Sequence, residues 1–289
     1  MHSTVDTRSR SSVARVGFIG LGDMGGAIAT RIIAAGFPTV LWARRPQALT
    51  AFSGESVAAA ATAAELAADV DMVGVCVWDD DAVRDVVYGP GGILAGCRPG
   101  TLLAIHSTVK PATCREIARA ASERGITVLD APVSGGRDVA LEGRLVVAAG
   151  GDEDTLQRAQ PVLECFADPV IHVGPVGAGQ LAKLINNCLL AANLTLADDA
   201  LTLAATLGIG SEAMADVLRH GSGRSYGLEV AVTTRTSPAA REQAAASLSK
   251  DIRCLTVESA AHVCAQVPLL TNTAETSVKR LKLPPGWMR

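Results

Sequence analysis

The stretch Arg15-Val16-Gly17-Phe18-Ile19-Gly20-Leu21-Gly22-Asp23-Met24-Gly25 decides the fold. Its first residues have the apolar, β-rich character of a strand, Gly20-x-Gly22-x-x-Gly25 follows at once, and a helical run over 27–35 comes next. Placed between strand and helix, each glycine has a task. The first permits a tight turn, the second lets a pyrophosphate approach the backbone, and the third lets helix and strand pack closely, with the phosphates at the helix N-terminus. The spacing alone also fits a plain turn in an Ala/Gly-rich chain. Its context favours a dinucleotide site built from Gly20, Leu21, Gly22, Asp23, Met24 and Gly25.

Outward from this stretch, short β-branched runs alternate with Ala-rich segments as far as about Pro175, the pattern of βαβ units around a parallel sheet. Strands are expected at 15–20, 39–42, 71–77, 101–106, 127–133, 145–150 and 170–174. A helix over 111–124 opens with Pro111, whose missing N–H costs nothing in a first turn. Right-handed crossovers make this a doubly wound sheet. Past Gly179 the strand pattern stops. The Leu/Ala-rich segment 180–207 predicts a helix of ~27 residues, about 40 Å long. Apolar on nearly every face, it should be covered by protein on all sides, between domains or between subunits. Further helices are expected at 211–220, 239–265 and 270–282. The fold class is therefore α/β, a Rossmann-type domain followed by an all-α domain. The expected division is a loose tail over 1–13, a dinucleotide-binding domain over 14–175, and a substrate and oligomerisation domain over 176–289.

A length of 289 residues suits two domains with a sizeable core, and 48% hydrophobic against 19% charged residues excludes disorder and fibrous repeats. With 26 Lys plus Arg against 29 Asp plus Glu, no broad cationic surface is available for nucleic acid or anionic lipid. Seven cysteines, at 76, 97, 114, 165, 188, 254 and 264, lie mostly in apolar runs such as Val75-Cys76-Val77. They are expected to be reduced, buried thiols of a cytoplasmic protein. No Cys-x-x-Cys or His-Glu-x-x-His occurs and the five histidines are scattered, so no metal is expected. Met1 to Ser12 is polar, without a signal peptide's apolar run, and the richest apolar segment, 181–209, is interrupted by Asn186, Asn187, Asn193, Asp198 and Asp199.

At the end of the second strand an NAD-selective site places Asp or Glu on the ribose, whereas this chain has Leu41-Trp42-Ala43-Arg44-Arg45. Two guanidiniums there suit the 2′-phosphate of NADP, the expected cofactor, because Arg offers a planar fork to phosphate oxygens. A solvated basic turn before Pro46 is the competing reading.

Two later segments carry the substrate chemistry. Asp130-Ala131-Pro132-Val133-Ser134-Gly135-Gly136 ends a strand, where open α/β sheets place ligands. There the Ser134 hydroxyl and unobstructed N–H groups of Gly135 and Gly136 could hold a carboxylate, although an ordinary loop fits as well. Gly174-Pro175-Val176-Gly177-Ala178-Gly179-Gln180-Leu181-Ala182-Lys183-Leu184-Ile185-Asn186-Asn187 feeds the long helix. Lys183 and Asn187, four apart, share one face, and a lysine and an amide in an apolar first turn and a half point to a task.

With these segments on view, the chain resembles the β-hydroxyacid dehydrogenase family, which includes 3-hydroxyisobutyrate and tartronate semialdehyde enzymes and has a 6-phosphogluconate dehydrogenase type of NADP-binding domain. The resemblance covers nearly the whole chain beyond the tail. It rests on Gly20-Leu-Gly22-Asp-Met24-Gly25, His106-Ser107-Thr108, Asp130-Ala-Pro-Val-Ser134-Gly-Gly136, Gly177-Ala-Gly179-Gln-Leu-Ala-Lys183-Leu-Ile-Asn-Asn187 and Lys250-Asp251, in that order. It implies hydride transfer between NADP(H) and the hydroxyl-bearing carbon of a small β-hydroxy acid, giving a semialdehyde or ketone. Lys183 would be the general acid/base and Asn187 its orienting partner. Ser134, Gly135 and Gly136 would hold the substrate carboxylate, Thr108 would lie near nicotinamide or substrate, and Val77 and Lys250 would approach the cofactor. Taken alone, a Lys-Asp pair on a helix is ordinary solvated surface.

The chain departs from the family pattern at Ala43, at His106 and at the small run Ala245-Ala246-Ser247-Leu248-Ser249. With Arg224 and Tyr226, that run leaves room for a longer or differently charged substrate. His106 is expected to be a satisfied core histidine. Competing functions are an imine reductase, disfavoured by Lys183, and a cofactor-binding sensor without catalysis, disfavoured by Lys183, Asn187 and Ser134 together. The long apolar helix predicts a homodimer or homotetramer.

Overall fold

The computed structural model describes residues 13–261 and 268–283. The N-terminal tail up to Ser12, the end of the helix expected over 239–265, and Cys264 lie outside the described residues. Two compact units are present, Met1–Lys183 and Leu184–Arg289.

In the first unit, β1 (Val16–Ile19) leads into α1 (Asp23–Ala34), β2 (Thr39–Trp42) and β3 (Val57–Ala59). Next come α2 (Ala63–Ala68), β4 (Met72–Val75), α3 (Asp80–Tyr88), α4 (Ile93–Gly96), β5 (Leu102–Ile105) and α5 (Pro111–Ser122). The unit continues with β6 (Thr127–Asp130), β7 (Val133–Ser134), α6 (Arg137–Leu141), β8 (Leu145–Gly150), α7 (Glu153–Leu163) and β9 (Ala167–Gly174).

These strands form one sheet in the order β3-β2-β1-β4-β5-β6-β8-β7, with β9 paired to β8. From β3 to β6 every pairing is parallel. The sheet is not parallel throughout, because β8 runs antiparallel to both β6 and β7. The single strand expected over 127–133 is broken between Asp130 and Val133, where Pro132 has no N–H to give a ladder. Beyond the break, Val133 and Ser134 pair with Val147 and Val146.

Alternate residues feed opposite faces, as the pleat requires. Phe18, Met72, Leu102 and Leu129 join Ile28 and Ile32 of α1 and Val162 of α7 on one side. Ile19, Val73, Leu103 and Ile105 join Leu66 of α2, Val83 of α3 and Ile117 of α5 on the other. Each of the larger side chains contributes about 1.5–3 kcal/mol by leaving water. His106 belongs to this core. It is 2% exposed, stacked on Phe18 and edge-on to Phe166, and its Nδ1 lies 2.9 Å from the Ala131 carbonyl oxygen. Burial lowers its pKa to about 4, so the ring is neutral and Nδ1–H donates.

After β9 come α8 (Ala178–Thr206), α9 (Ser211–His220), α10 (Tyr226–Thr236), α11 (Pro238–Ala261) and α12 (Pro268–Leu281). In the second unit Leu184, Cys188, Ala191, Leu194 and Leu201 of α8 pack with Leu228, Leu248, Ile252 and Leu255. Gly227 seats α10 on α8, since a Cβ there would fall 2.6 Å from Leu194 N. The helix α8 has the length and hydropathy to span a bilayer, but it is a core helix on this face, with Asp198 ion-paired to Arg235. Its other face is exposed in the single chain, where the expectation allows cover by a second subunit. Ile185, Leu189, Leu196, Leu203 and Leu207 are each 51–70% exposed and fall within about 40° of one another at 3.6 residues per turn. The six described cysteines are thiols outside any disulfide; Cys114 and Cys188 are buried and the other four half-buried.

Candidate active site

Parallel register aligns the strand ends. Ile19 sits opposite Trp42 and Val75, Val75 opposite Ile105, and Ile105 opposite Asp130. Whatever follows these residues in the chain therefore emerges along one carboxyl edge: Gly20, Ala43-Arg44-Arg45, Cys76-Val77, His106-Ser107-Thr108, and the turn leading to Ser134.

At the β1 end the three glycines differ in the way a dinucleotide requires. A Cβ on Gly20 would fall 2.2 Å from the Cys76 carbonyl oxygen, and one on Gly25 would fall 1.9 Å from the Gly20 carbonyl oxygen. Both are fixed by packing. A Cβ on Gly22 would meet nothing within 4 Å, so this glycine faces open space at the start of α1, which no side chain caps. An uncapped N-terminus with bare backbone before it fits a pyrophosphate. Leu21 and Met24 pack partly buried against the core, while Asp23 is exposed and paired with Arg137 at 3.2 Å. Arg44 and Arg45 are exposed just after β2.

Val77 donates its N–H to Ser107 Oγ at 2.8 Å, joining the ends of β4 and β5. The Thr108 segment is held from both sides by one side chain. Gln180, fully buried, donates from Nε2 to the Ser107 carbonyl at 2.9 Å and accepts from Val109 N–H at 3.0 Å. Thr108 itself is half-buried between those clamped neighbours.

Lys183 and Ser134 are 49 residues apart in the chain, yet Lys183 Nζ donates to Ser134 Oγ at 2.8 Å. Both are half-buried. Gly135 and Gly136 follow, exposed, and a Cβ on Gly136 would meet nothing within 4 Å. An ammonium, a hydroxyl and open backbone thus meet at one point, a combination that can bind a carboxylate and exchange a proton with a neighbouring oxygen.

In the second unit Asn187, 6% exposed, donates from Nδ2 to Asp251 Oδ2 at 2.6 Å and accepts from Asn186 Nδ2 at 3.2 Å. The acceptor on one side and donor on the other fix the amide's orientation. Lys250 Nζ lies 3.7 Å from Asp251 Oδ1. Asp251 is 2% exposed, so this Lys-Asp pair is not the solvated surface feature its sequence suggests. Ala245 and Leu248 pack into the helical core, whereas Arg224 and Tyr226 are exposed.

The residues missed by sequence reasoning are Asp130, Gln180 and Asp251, all buried. Asp130 stands within the motif that leads to Ser134. Its one sequence signal is a carboxylate ending an apolar strand, Thr127-Val128-Leu129-Asp130.

Family models match almost end to end. The NAD binding domain of 6-phosphogluconate dehydrogenase matches residues 15–174. The NAD-binding domain of NADP-dependent 3-hydroxyisobutyrate dehydrogenase matches residues 177–282. The chain is 33% identical over 281 residues to NAD-dependent L-serine dehydrogenase of Pseudomonas aeruginosa, covering 94% of this chain and 93% of that protein. It is 34% identical over 215 residues to 2-(hydroxymethyl)glutarate dehydrogenase of Eubacterium barkeri, covering 74% and 71%. Among solved structures, Mycobacterium tuberculosis 3-hydroxyisobutyrate dehydrogenase with L-serine matches with a TM-score of 0.78 and 30% identity, covering 92% and 93% of the two chains.

Proposed function

Because the chain belongs to the β-hydroxyacid dehydrogenase family and is an NAD(P)-dependent oxidoreductase of that type, we propose that it interconverts a small β-hydroxy acid and its semialdehyde or ketone. We further propose NADP(H) as its cofactor and Lys183 as its general acid/base. The observation that carries this reading is the hydrogen bond from Lys183 Nζ to Ser134 Oγ beside the exposed Gly135-Gly136 backbone.

When bound, NADP supplies the hydride acceptor in oxidation and, reduced, the donor in the reverse direction. Gly20, Leu21, Gly22, Asp23, Met24 and Gly25 would hold its pyrophosphate, and Arg44 and Arg45 its 2′-phosphate, with Val77, Thr108 and Lys250 completing the cofactor contacts. Ser134 Oγ and the N–H groups of Gly135 and Gly136 take the substrate carboxylate. Lys183 as a neutral amine accepts the proton of the substrate hydroxyl during oxidation. As an ammonium it returns that proton during reduction and stabilises negative charge growing on the oxygen. Asn187, its amide held by Asp251, orients the substrate. The exposed α8 stripe from Ile185 to Leu207 supports a homodimer or homotetramer, since a second copy of the chain would cover it.

The test is spectrophotometric: NADP reduction with small β-hydroxy acids, and NADPH oxidation with the matching semialdehydes and with cyclic imines. Turnover of hydroxy acids that falls at least a hundredfold in Lys183→Ala, with cofactor binding retained, is the expected result. Full turnover in that variant removes the mechanism, and turnover of imines alone makes the chain an imine reductase.

A further inference from the structure

Asp130 is fully buried at the end of β6, and its carboxylate accepts two backbone N–H groups from the start of α8: Gly177 at 2.6 Å and Gln180 at 2.7 Å. The surrounding chain is cut to fit this acceptor. A Cβ on Gly150 would fall 2.4 Å from Asp130 Oδ1, and one on Gly179 would fall 2.9 Å from Oδ2 and 2.6 Å from the Asp130 carbonyl oxygen. Gly177, at φ +98°, makes the entry turn beneath Arg115.

An ordinary helix cap is a Ser, Thr or Asp just before the first turn, close to water. This one comes from 47 residues earlier and needs a buried carboxylate, which is costly where a local neutral cap would satisfy the same N–H groups. What a carboxylate adds is two acceptors at once. A single bond would let the helix rock, whereas two bonds to residues three apart hold both its rotation and its pitch. The same strand end leads in four residues to Ser134, and Gln180 precedes Lys183 by three. At ~1.5 Å rise per residue plus an extended lysine, a tilt of about 10° would move Nζ by more than 1 Å. A displacement of that size costs on the order of 100-fold in rate.

We propose that Asp130 is a positioning residue of the dehydrogenase reaction, fixing the first turn of α8 so that Lys183 meets Ser134 and, through Gln180, the Thr108 segment. The proposal rests on the role of Lys183 given above. Burial accompanies it with a carboxyl pushed up to about 6, against the pull of Arg115 and the two N–H donors. The neighbouring Cys114 thiol is held protonated, so Arg115 is the charged group acting on Asp130.

The test is Asp130→Asn, which keeps the volume but turns an NH2 group onto one of the two N–H donors. The expected result is a kcat loss of about 100-fold with NADPH affinity, followed by its fluorescence, changed less than twofold. In the Lys183→Ala background the same substitution should leave the residual rate unchanged. An equal loss in both backgrounds, or no loss in the parent, overturns the proposal. If instead Lys183→Ala alone keeps full turnover, the reading of Lys183 fails and not only this one. Should Asp130→Asn not fold, the parent protein answers in the reduction direction, where acid favours the lysine ammonium. There kcat should fall below pH about 6 as Asp130 takes a proton and gives up one acceptor, and a level profile to pH 5 counts against the proposal.

Discussion

Asp23 and Arg137 pair at 3.2 Å, and each is the first residue of the helix that leaves one of the two open glycine turns, Gly22 for Asp23 and Gly136 for Arg137. The pair is more than half exposed, so its contribution to folding is small. Its position gives it another use. An acid in the first turn of α1 opposes a pyrophosphate brought to that helix end, and the guanidinium offsets it. Removing Arg137 with Ala should weaken NADPH binding about fivefold, corresponding to about 1 kcal/mol. Adding Asp23→Asn should restore it. Titration of the four proteins by fluorescence decides the matter, and additive losses would remove the idea.

Cofactor choice should depend on Arg44. In Arg44→Ala the affinity for NADPH is expected to fall at least tenfold while that for NADH changes less than twofold, because only the former has the extra phosphate for the guanidinium to engage. Isothermal titration with both nucleotides measures this, and an equal change for each would separate Arg44 from the selectivity.

Two buried groups should work against each other in acid. His106, with its pKa lowered to about 4 from 6.5, charges more readily in the unfolded chain. Its contribution to stability is complete above pH 6.5 and is lost as the pH falls towards 4. Asp130, raised to about 6 from 3.8, protonates more readily in the folded chain. Its contribution is complete below 3.8 and is lost as the pH rises through 6. At about 1.4 kcal/mol per pH unit each amounts to roughly 3 kcal/mol over its window, and between pH 4 and 6 they largely cancel. Urea unfolding should therefore show a nearly level midpoint for the parent and a midpoint that drops from pH 6.5 to 4 in Asp130→Asn. Parallel profiles would disprove the opposition.

The exposed stripe of α8 predicts assembly. Leu196→Glu together with Leu203→Glu places two charges on the face formed by Ile185, Leu189, Leu196, Leu203 and Leu207. Sedimentation should show an oligomer for the parent and a monomer for the double variant. A parent that sediments as a monomer would leave the stripe without this role.

What could be learned from the sequence follows the reach of each interaction. The Gly20-Gly22-Gly25 turn is legible because strand, turn and helix are neighbours in the chain, and Lys183 with Asn187 because helical spacing is local. That Lys183 and Ser134 serve one site came only through the family resemblance, since 49 residues separate them, and their hydrogen bond is visible only in the fold. Asp130 and Asp251 were beyond reach for a different reason. Their carboxylates look solvent-facing by type, and only the surrounding backbone makes them internal acceptors. The helix α10 escaped notice because Gly227 and a run of Thr residues weaken its propensity, while its seat on Leu194 supplies the missing stability. The break before Val133 follows from Pro132, but the antiparallel partner that captures Ser134 lies in a later strand.

Gly150 and Gly179 leave no space for a side chain beside Asp130. At the neighbouring rim Gly136 has empty space where a side chain would stand, yet its φ of +88° reserves the position for glycine. On the proposed reading, room for altered substrate preference therefore lies with exposed side chains such as Arg137, and not with the glycines that wrap the buried carboxylate.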